Sequence, residues 1–528
     1  MRRAFVCRAR ILLGGLGVLL MGVSGKAAAQ APGEWTVSGQ NVSNTRFQAA
    51  ETTLGPENVS GLKPKWVFTT GGDVTATPAI SADAVYVPDW AGNLFKIDAL
   101  GGAAVWSRSL ADYTGIAKTI ARTSPAVRDG VVYVGTLDGA YLLAIHTGTG
   151  DLLWKTQLDP HLAAVVTQSP VVFQQRVYVG VSSKEELVAS LVPGYKCCTF
   201  RGSVVAVDAA SGGVAWRTYT TPANGGVAGG YSGVAVWGST PVVDAARNAL
   251  YFTTGNNYSV PPDVEACEKV RQGDPSQPSC LAPDDHVDAV VALDLQTGAI
   301  KWSTRMQGYD AWNFTCLGLP GRPRPGCPDP RGPDYDFGQG PMLFTAAGGD
   351  GSRELLGAGQ KSGIFWALDP ATGAVVWSRF VGPAGALGGL QWGSATDGAR
   401  IYTAVTNSGR KRYTLPSGER TRSGLWSALD AATGAILWQT AVPAPRTGAM
   451  GPVTVANGVV YAGSMARSGD NMFALDAAAG TILWRYPSGG SVAAGPSVAN
   501  GTVYWGSGYS NLRLGSANNK LYAFELPH

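Results

Sequence analysis

The chain has 528 residues, 71 of them glycine and 32 proline, with 15% charged residues and a formal net charge of +4. This composition suits many short strands joined by tight turns and excludes a helical bundle or a disordered chain. So small a charge for the length, with no basic run, also excludes a phosphate-tracking nucleic-acid surface.

At the N-terminus, Arg2, Arg3, Arg8 and Arg10 precede the apolar run Ile11 to Val23, and Ala27-Ala28-Ala29 follows. The pattern predicts a secretory leader over residues 1–29, cleaved after Ala29, and an exported, periplasmic product. Cys7 stands ahead of the apolar run, where a lipid-anchoring cysteine would not sit. No later apolar run is long enough to span a membrane. Residues 30–528 then form one domain.

From residue 98 onward one pattern recurs: a strand, an Asp, a Gly four residues on and a Trp eight residues on. It fits Asp98/Gly102/Trp106, Asp208/Gly212/Trp216, Asp294/Gly298/Trp302, Asp369/Gly373/Trp377, Asp430/Gly434/Trp438 and Asp476/Gly480/Trp484, with His146 replacing Asp ahead of Gly150 and Trp154. Each copy reads as a β-hairpin whose carboxylate accepts turn N–H groups and whose glycine takes the positive-φ position, the Trp opening the return strand. The C-terminal LYAFE ends in Glu525 without its Trp, and the N-terminal GLKPKWVF supplies one in Trp66. Seven copies and a split eighth predict an all-β, eight-bladed β-propeller closed by joining the two chain ends in one blade, which removes exposed sheet edges. The repeat Asp and Trp residues are read as structural, and His146 as a turn variant.

Spacing between repeats is 46 to 49 residues for a bare blade and rises to 86 and 75 in the middle of the chain. Surplus loop length is where function concentrates, so the segments near 180–200, 258–286 and 308–336 are the candidate site. Six cysteines follow the leader, all in these segments or beside them. An even number in an oxidising compartment favours disulfides, and short loops favour the local pairs Cys197–Cys198, Cys267–Cys280 and Cys316–Cys327. Asp284, Asp285, His286 and Asp288 are read as a polar loop entering the strand VVALD.

The repeat resembles the tryptophan-docking motif of the quinoprotein alcohol dehydrogenases over nearly the whole exported chain. YKCCTFRGSVVAVD, TTGNNYS, YDAWN, DYDFGQGPML and GAGQKSGIFWALD are most similar to the polyvinyl alcohol dehydrogenase branch. The resemblance implies bound pyrroloquinoline quinone and Ca2+, an alcohol substrate, and a soluble cytochrome c as acceptor, since the C-x-x-C-H haem motif that this branch usually carries is absent. It implies Trp237 as the ring beneath the quinone, Arg122 on a cofactor carboxylate, and Thr167 and Ser183 as hydrogen-bonding groups. Lys361 would stand beside the quinone oxygens, with Glu186, Asn256 and Asp336 as metal ligands. Cys197 and Cys198 would form a vicinal disulfide lid, although the better-known members carry that pair in an earlier blade. The base is assigned to Asp336, 25 residues before Lys361, with Asp310 as fallback, because YDAWN ends in Asn313, which cannot take a substrate proton as a carboxylate does. Residues 314–333 are then an insertion. Gly338, two residues past the base, favours calcium over a lanthanide. Singly, each of these residues also suits a packing or turn role; their order together carries the assignment. The competing readings are a non-enzymatic propeller of the outer-membrane assembly type and a quinone-binding sensor without turnover.

Overall fold

The computed structural model describes Met1 and residues 33–274, 276–317, 325–348 and 351–527, so the expected leader beyond Met1, with Cys7, lies outside the described residues. Eight four-stranded antiparallel meanders are arranged as a propeller. Blade 1 runs Ala79–Ser81, Ala84–Pro88, Asn93–Asp98 and Ala104–Ser109, and the following blades repeat this order. The last blade takes Ser497–Ala499, Thr502–Ser507 and Lys520–Glu525 from the C-terminus and its outer strand, Lys63–Thr69, from the N-terminus. Trp66 lies opposite Ala523 in that pairing, as the split repeat requires.

The repeat residues act as their chemistry dictates. Asp208 Oδ1 accepts the Ser211 N–H at 2.8 Å, and His146 Nδ1 accepts the Thr149 N–H at 3.2 Å in the equivalent turn. Each docking Trp lies under the turn of the next blade. Trp66 Nε1 donates to Ala99 O at 3.0 Å, Trp438 Nε1 to Ala477 O at 3.0 Å, and Trp484 Nε1 to Leu62 O at 3.1 Å, which closes the ring. Gly480 shows why the turn needs glycine: its φ is +72°, and a Cβ there would sit 2.5 Å from the Trp438 ring. Hydrophobic cores therefore lie between adjacent blades, as where Tyr86, Leu94 and Trp106 meet Val127, Val132 and Val134. Among the described residues, no helix is long and apolar enough to cross a membrane.

Residues 35–48 do something the repeat did not predict: they add backbone partners to the innermost strands of most blades. Trp35 pairs with Ile80, Thr36 O accepts from Val127 N, Val42 O from Val243 N, Ser43 O from Leu343 N, Thr45 O from Thr396 N and Arg46 O from Val455 N, all within 2.8–3.0 Å. Gln48 Nε2 then donates to Val498 O in the last blade at 2.9 Å. One winding segment, with positive φ at Gln40, Asn44 and Arg46, thus ties most of the ring together around the axis.

Candidate active site

The three enlarged segments fold as pinned loops. Strand Arg176–Ser183 runs into a short helix, Glu185–Leu191, which leads to Cys197 and Cys198. Helix Pro262–Arg271 is fastened by a disulfide from Cys267 to Cys280, and a second disulfide joins Cys316 to Cys327. Cys197 and Cys198 are bonded to each other, so all three local pairings expected from loop length are present.

Trp237 is the centre of the constellation. Its Nε1–H donates to Asp336 Oδ2 at 2.8 Å, and the Lys361 ammonium lies 5.3 Å from its ring centroid. Asp336 Oδ1 accepts the Asn256 N–H at 3.1 Å, and Lys361 Nζ reaches Asp336 Oδ2 at 3.4 Å. The Asn256 amide is oriented by donating to Trp312 O at 2.7 Å and Asn257 O at 2.9 Å, which leaves its side-chain oxygen free to turn outward. Two glycines keep this space clear. A Cβ on Gly255 would lie 2.9 Å from Asp336 Oδ2, and one on Gly338 would lie 3.0 Å from the Trp237 ring.

Charge is unbalanced here. Burial, with the Asp336 charge, pushes the Glu186 carboxyl up to about 8 despite Lys361, and among the described residues Glu186 has no hydrogen-bond partner. Burial also pushes Asp334 well above the usual carboxylate range, an effect that Lys361 only partly offsets through a 2.7 Å ion pair. For Lys361 itself burial opposes the charge, but Asp334 and Asp336 outweigh it and hold the ammonium above its ordinary value. Three carboxyls thus face one cation. Among the described residues, no group of three or more His, Cys, Asp or Glu side chains forms a metal centre; Glu186, Asp336 and the Asn256 amide are the candidate oxygen donors.

The other expected residues are placed around this core. Thr167 Oγ1 donates to Trp237 O at 3.2 Å, and Ser183 Oγ accepts the Glu185 N–H at 2.8 Å. Arg122 lies with its guanidinium 3.8 Å from the Trp392 ring centroid. Asn313 Nδ2 approaches Cys197 Sγ at 3.7 Å and donates to Tyr258 O and Gly326 O, both at 3.0 Å, so it braces the disulfide loop. Asp310 accepts the N–H groups of Asp334 at 3.0 Å and Tyr335 at 2.7 Å, one at each oxygen, and so sets the turn that carries Asp334 and Asp336. Asp288 is fully buried behind it, with both oxygens lacking a conventional donor. Burial and the adjacent Asp310 charge raise its pKa well above normal, while Asp310 is pushed up to about 6, chiefly by burial. Two facing buried carboxyls cannot both stay ionised. The 284–288 stretch is thus more than a polar loop: Asp285 and Asp288 are buried supports of the site.

Three residues escaped the sequence reading. Asp334 makes the closest contact to Lys361, yet it lies only two residues from Asp336 in the same stretch. Trp392 packs edge-on to Trp237 at 5.1 Å and carries φ +62°, a strained backbone for a bulky residue. The echo of Trp237-Gly238-Ser239 in Trp392-Gly393-Ser394 was the signal that marked it. Glu185, beside the expected Glu186, accepts from Tyr195 Oη, Thr199 N and Phe200 N, each at 2.8 Å, and so anchors the chain just past the cysteine pair.

A family model described as outer membrane protein assembly factor BamB matches residues 35–304 and 360–525. A polyvinylalcohol dehydrogenase of Sphingopyxis sp. (strain 113P3) is 32% identical over 91% of this chain and 73% of its own length. Another from Pseudomonas sp is 30% identical over 91% of this chain and 74% of its own. The solved quinohemoprotein alcohol dehydrogenase ADHIIG of Pseudomonas putida HK5 superposes with a TM-score of 0.70 at 19% identity, covering 94% of this chain and 80% of that one, a likeness of fold.

Proposed function

This chain belongs to the pyrroloquinoline-quinone-type alcohol dehydrogenase family and is an oxidoreductase, and from that premise we propose that it oxidises a primary or secondary alcohol, small or polymeric, in the periplasm and passes the electrons to a separate soluble cytochrome c. The observation that carries this reading is the contact set joining Trp237, Asp336, Asn256 and Lys361. The cleared space beside the Trp237 ring suits a flat cofactor, and an acid excess with free oxygen donors suits a divalent cation. Glu186, Asn256 and Asp336 would hold Ca2+; Trp237, Arg122, Thr167 and Ser183 would hold the quinone, with the Cys197–Cys198 pair as its lid. When bound, the quinone accepts the hydride equivalent of the carbinol and the calcium polarises it as a Lewis acid.

The residues do the rest. Asp336 takes the hydroxyl proton of the alcohol, its carboxylate aimed by the Trp237 Nε1–H and the Asn256 N–H. Lys361, kept charged by Asp334, donates toward the oxygen on which negative charge develops. Asp310, first considered as an alternative base, serves better as the clamp on the 334–335 backbone. A bare assembly scaffold has no use for these groups, and the matching scaffold-described model passes over residues 305–359, the stretch that contains Asp310, Asp334 and Asp336.

The test is reconstitution with quinone and calcium, and separately with a lanthanide, followed by dye reduction with primary, secondary and polymeric alcohols. Calcium is expected to support turnover, and Asp336→Asn to lower it by about 10²-fold or more with quinone still bound. Near-wild-type turnover in that variant would refute the base assignment. Quinone binding without any dye reduction would favour a sensor, and no binding a scaffold.

A further inference from the structure

Beside Trp392 and Arg122 the propeller axis holds a cavity of about 40 Å³ lined largely by hydroxyl side chains. Those hydroxyls are threaded around the axis by backbone donors. The Thr77 N–H donates to Ser124 Oγ at 2.9 Å, the Ser124 N–H to Ser169 Oγ at 2.9 Å, and the Ser169 N–H to Ser239 O at 2.7 Å. Accepting an amide uses a lone pair and leaves the O–H hydrogen unspent. Thr75 is in the same position, accepting from Trp90 Nε1 at 2.7 Å, and so is Thr77, which accepts from Arg46 Nη2 at 3.5 Å. Among the described residues, none of these four hydroxyls donates to a protein acceptor, so four O–H donors are available to one small space.

Arg46 stands against the same cavity through two of its lining residues. Its Nη1 donates to Ser38 O at 2.6 Å and its Nη2 approaches Thr77 Oγ1, while Nε donates to Val453 O at 2.7 Å and Nη2 to Thr454 Oγ1 at 3.1 Å. Room is kept for it: a Cβ on Gly495 would run into Arg46 Nη2 and Thr77 Oγ1. Arg46 is 2% exposed, every hydrogen-bond partner it has among the described residues is a neutral carbonyl or hydroxyl, and its guanidinium lies 5.7 Å from the Trp35 ring centroid. Burial alone lowers its pKa to about 9, with no carboxylate acting on it. A buried cation without a counter-charge is costly, and natural interiors supply one.

We propose that this axial cavity binds one small monovalent inorganic anion of halide size, held by the hydroxyl hydrogens of Thr75, Thr77, Ser124 and Ser169 and serving as counter-charge to Arg46. The volume admits a water-sized ion such as a halide. The cavity shares Arg122 and Thr167 with the proposed quinone site, whereas Arg46, Thr77, Ser124 and Ser169 have no part in that reading. A cofactor carboxylate reaching Arg122 is the other source of negative charge, and the two are separated by comparing the protein with and without quinone.

Crystals grown in sodium bromide, in quinone-free and quinone-loaded forms, are expected to show an anomalous bromine peak in the cavity in both. In solution, bromide should raise the unfolding temperature above that in methanesulfonate at equal ionic strength. Thr75→Val and Thr77→Val, which keep shape and remove a hydroxyl, should weaken that bromide dependence at least fivefold in midpoint concentration. A peak absent from both forms, or present only without quinone, would overturn the proposal, the latter by assigning the charge to the cofactor. A bromide dependence unchanged in both valine variants would overturn it as well.

Discussion

Loss of Glu185 should separate the support of the site from its chemistry. Its carboxylate is fully buried, and the N–H groups of Thr199 and Phe200 both end on it, so one side chain fixes the two residues that follow the Cys197–Cys198 pair. Glu185→Ala strands both amides. A buried donor left unpaired costs ~1–3 kcal/mol, so two of them give ~2–6 kcal/mol, and water reaching the part-exposed Thr199 puts the figure near ~3 kcal/mol. In a chain this long the unfolding entropy is of order 1 kcal/mol/K, so the same loss lowers Tm by only ~3 °C. The sharper assay is amide hydrogen exchange at Thr199 and Phe200. Burial disfavours the Glu185 charge, but hydrogen bonds from His161, Phe200, Thr199 and Tyr195 outweigh it and hold the pKa below the ordinary value. A depressed folded pKa means that the contribution is complete above the unfolded value of ~4.3 and is lost as pH falls through the lower folded one. Protection should therefore persist from pH 7 to 5, collapse on further acidification, and already be reduced at neutral pH in Glu185→Gln. Unchanged exchange in both variants would refute the anchoring role.

Other perturbations test the fold and the buried acids. Gly480→Ala combines a positive φ with a Cβ pressed against Trp438, whereas Gly469 has the same φ of +72° and nothing within 4 Å. The first should cost ~2–4 kcal/mol and the second ~1 kcal/mol in urea unfolding, and equal losses would deny the tryptophan its docking role. Asp285 accepts from Thr221 Oγ1 and Asn257 Nδ2, both at 2.8 Å, and burial raises its pKa to about 6. A raised folded pKa means that the stabilising effect is complete below the unfolded value of ~3.9 and is lost as pH rises through about 6. Asp285→Asn should therefore be more stable than wild type by up to ~3 kcal/mol at pH 8 and near equal at pH 4. The Asn257 side-chain oxygen, buried without a partner, is available to accept the new amide by a flip. Equal pH dependence in the two proteins would contradict this account.

The ring was legible because each blade repeats the same local chemistry, and a carboxylate, a positive-φ glycine and an indole at fixed spacing leave one solution. Trp237, Asp336 and Lys361 were legible as segments, and their side chains lie in contact. What was not legible depends on direction rather than spacing. Glu185 and Glu186 are neighbours on a helix, where successive side chains diverge by about 100°, so one turns to the cysteine loop and the other toward Asp336 and Lys361. Asp334 and Asp336 share a stretch, and only the turn set by Asp310 decides which lies closer to Lys361. Residues 35–48 carry no periodicity, because they touch most blades at a single residue each.

The distribution of charge makes one further demand. Around Trp237 there is an acid excess in Glu186, Asp334 and Asp336 against Lys361, while Arg122 beside Trp392 has no carboxylate partner among the described residues. A neutral ligand relieves neither imbalance, and a cation or an anion alone relieves only one. A polyanionic quinone and a divalent cation together relieve both, so each should bind more tightly in the presence of the other. Linkage makes the enhancement reciprocal: the factor by which calcium lowers the Kd of the quinone equals the factor by which the quinone lowers that of calcium. A coupling of ~2 kcal/mol, within the usual range, corresponds to roughly thirtyfold. Quinone titrations with calcium in excess and with calcium chelated measure it directly, and Glu186→Gln should shrink the factor without abolishing quinone binding. If the quinone bound equally well without calcium, the acids around Trp237 would need another explanation.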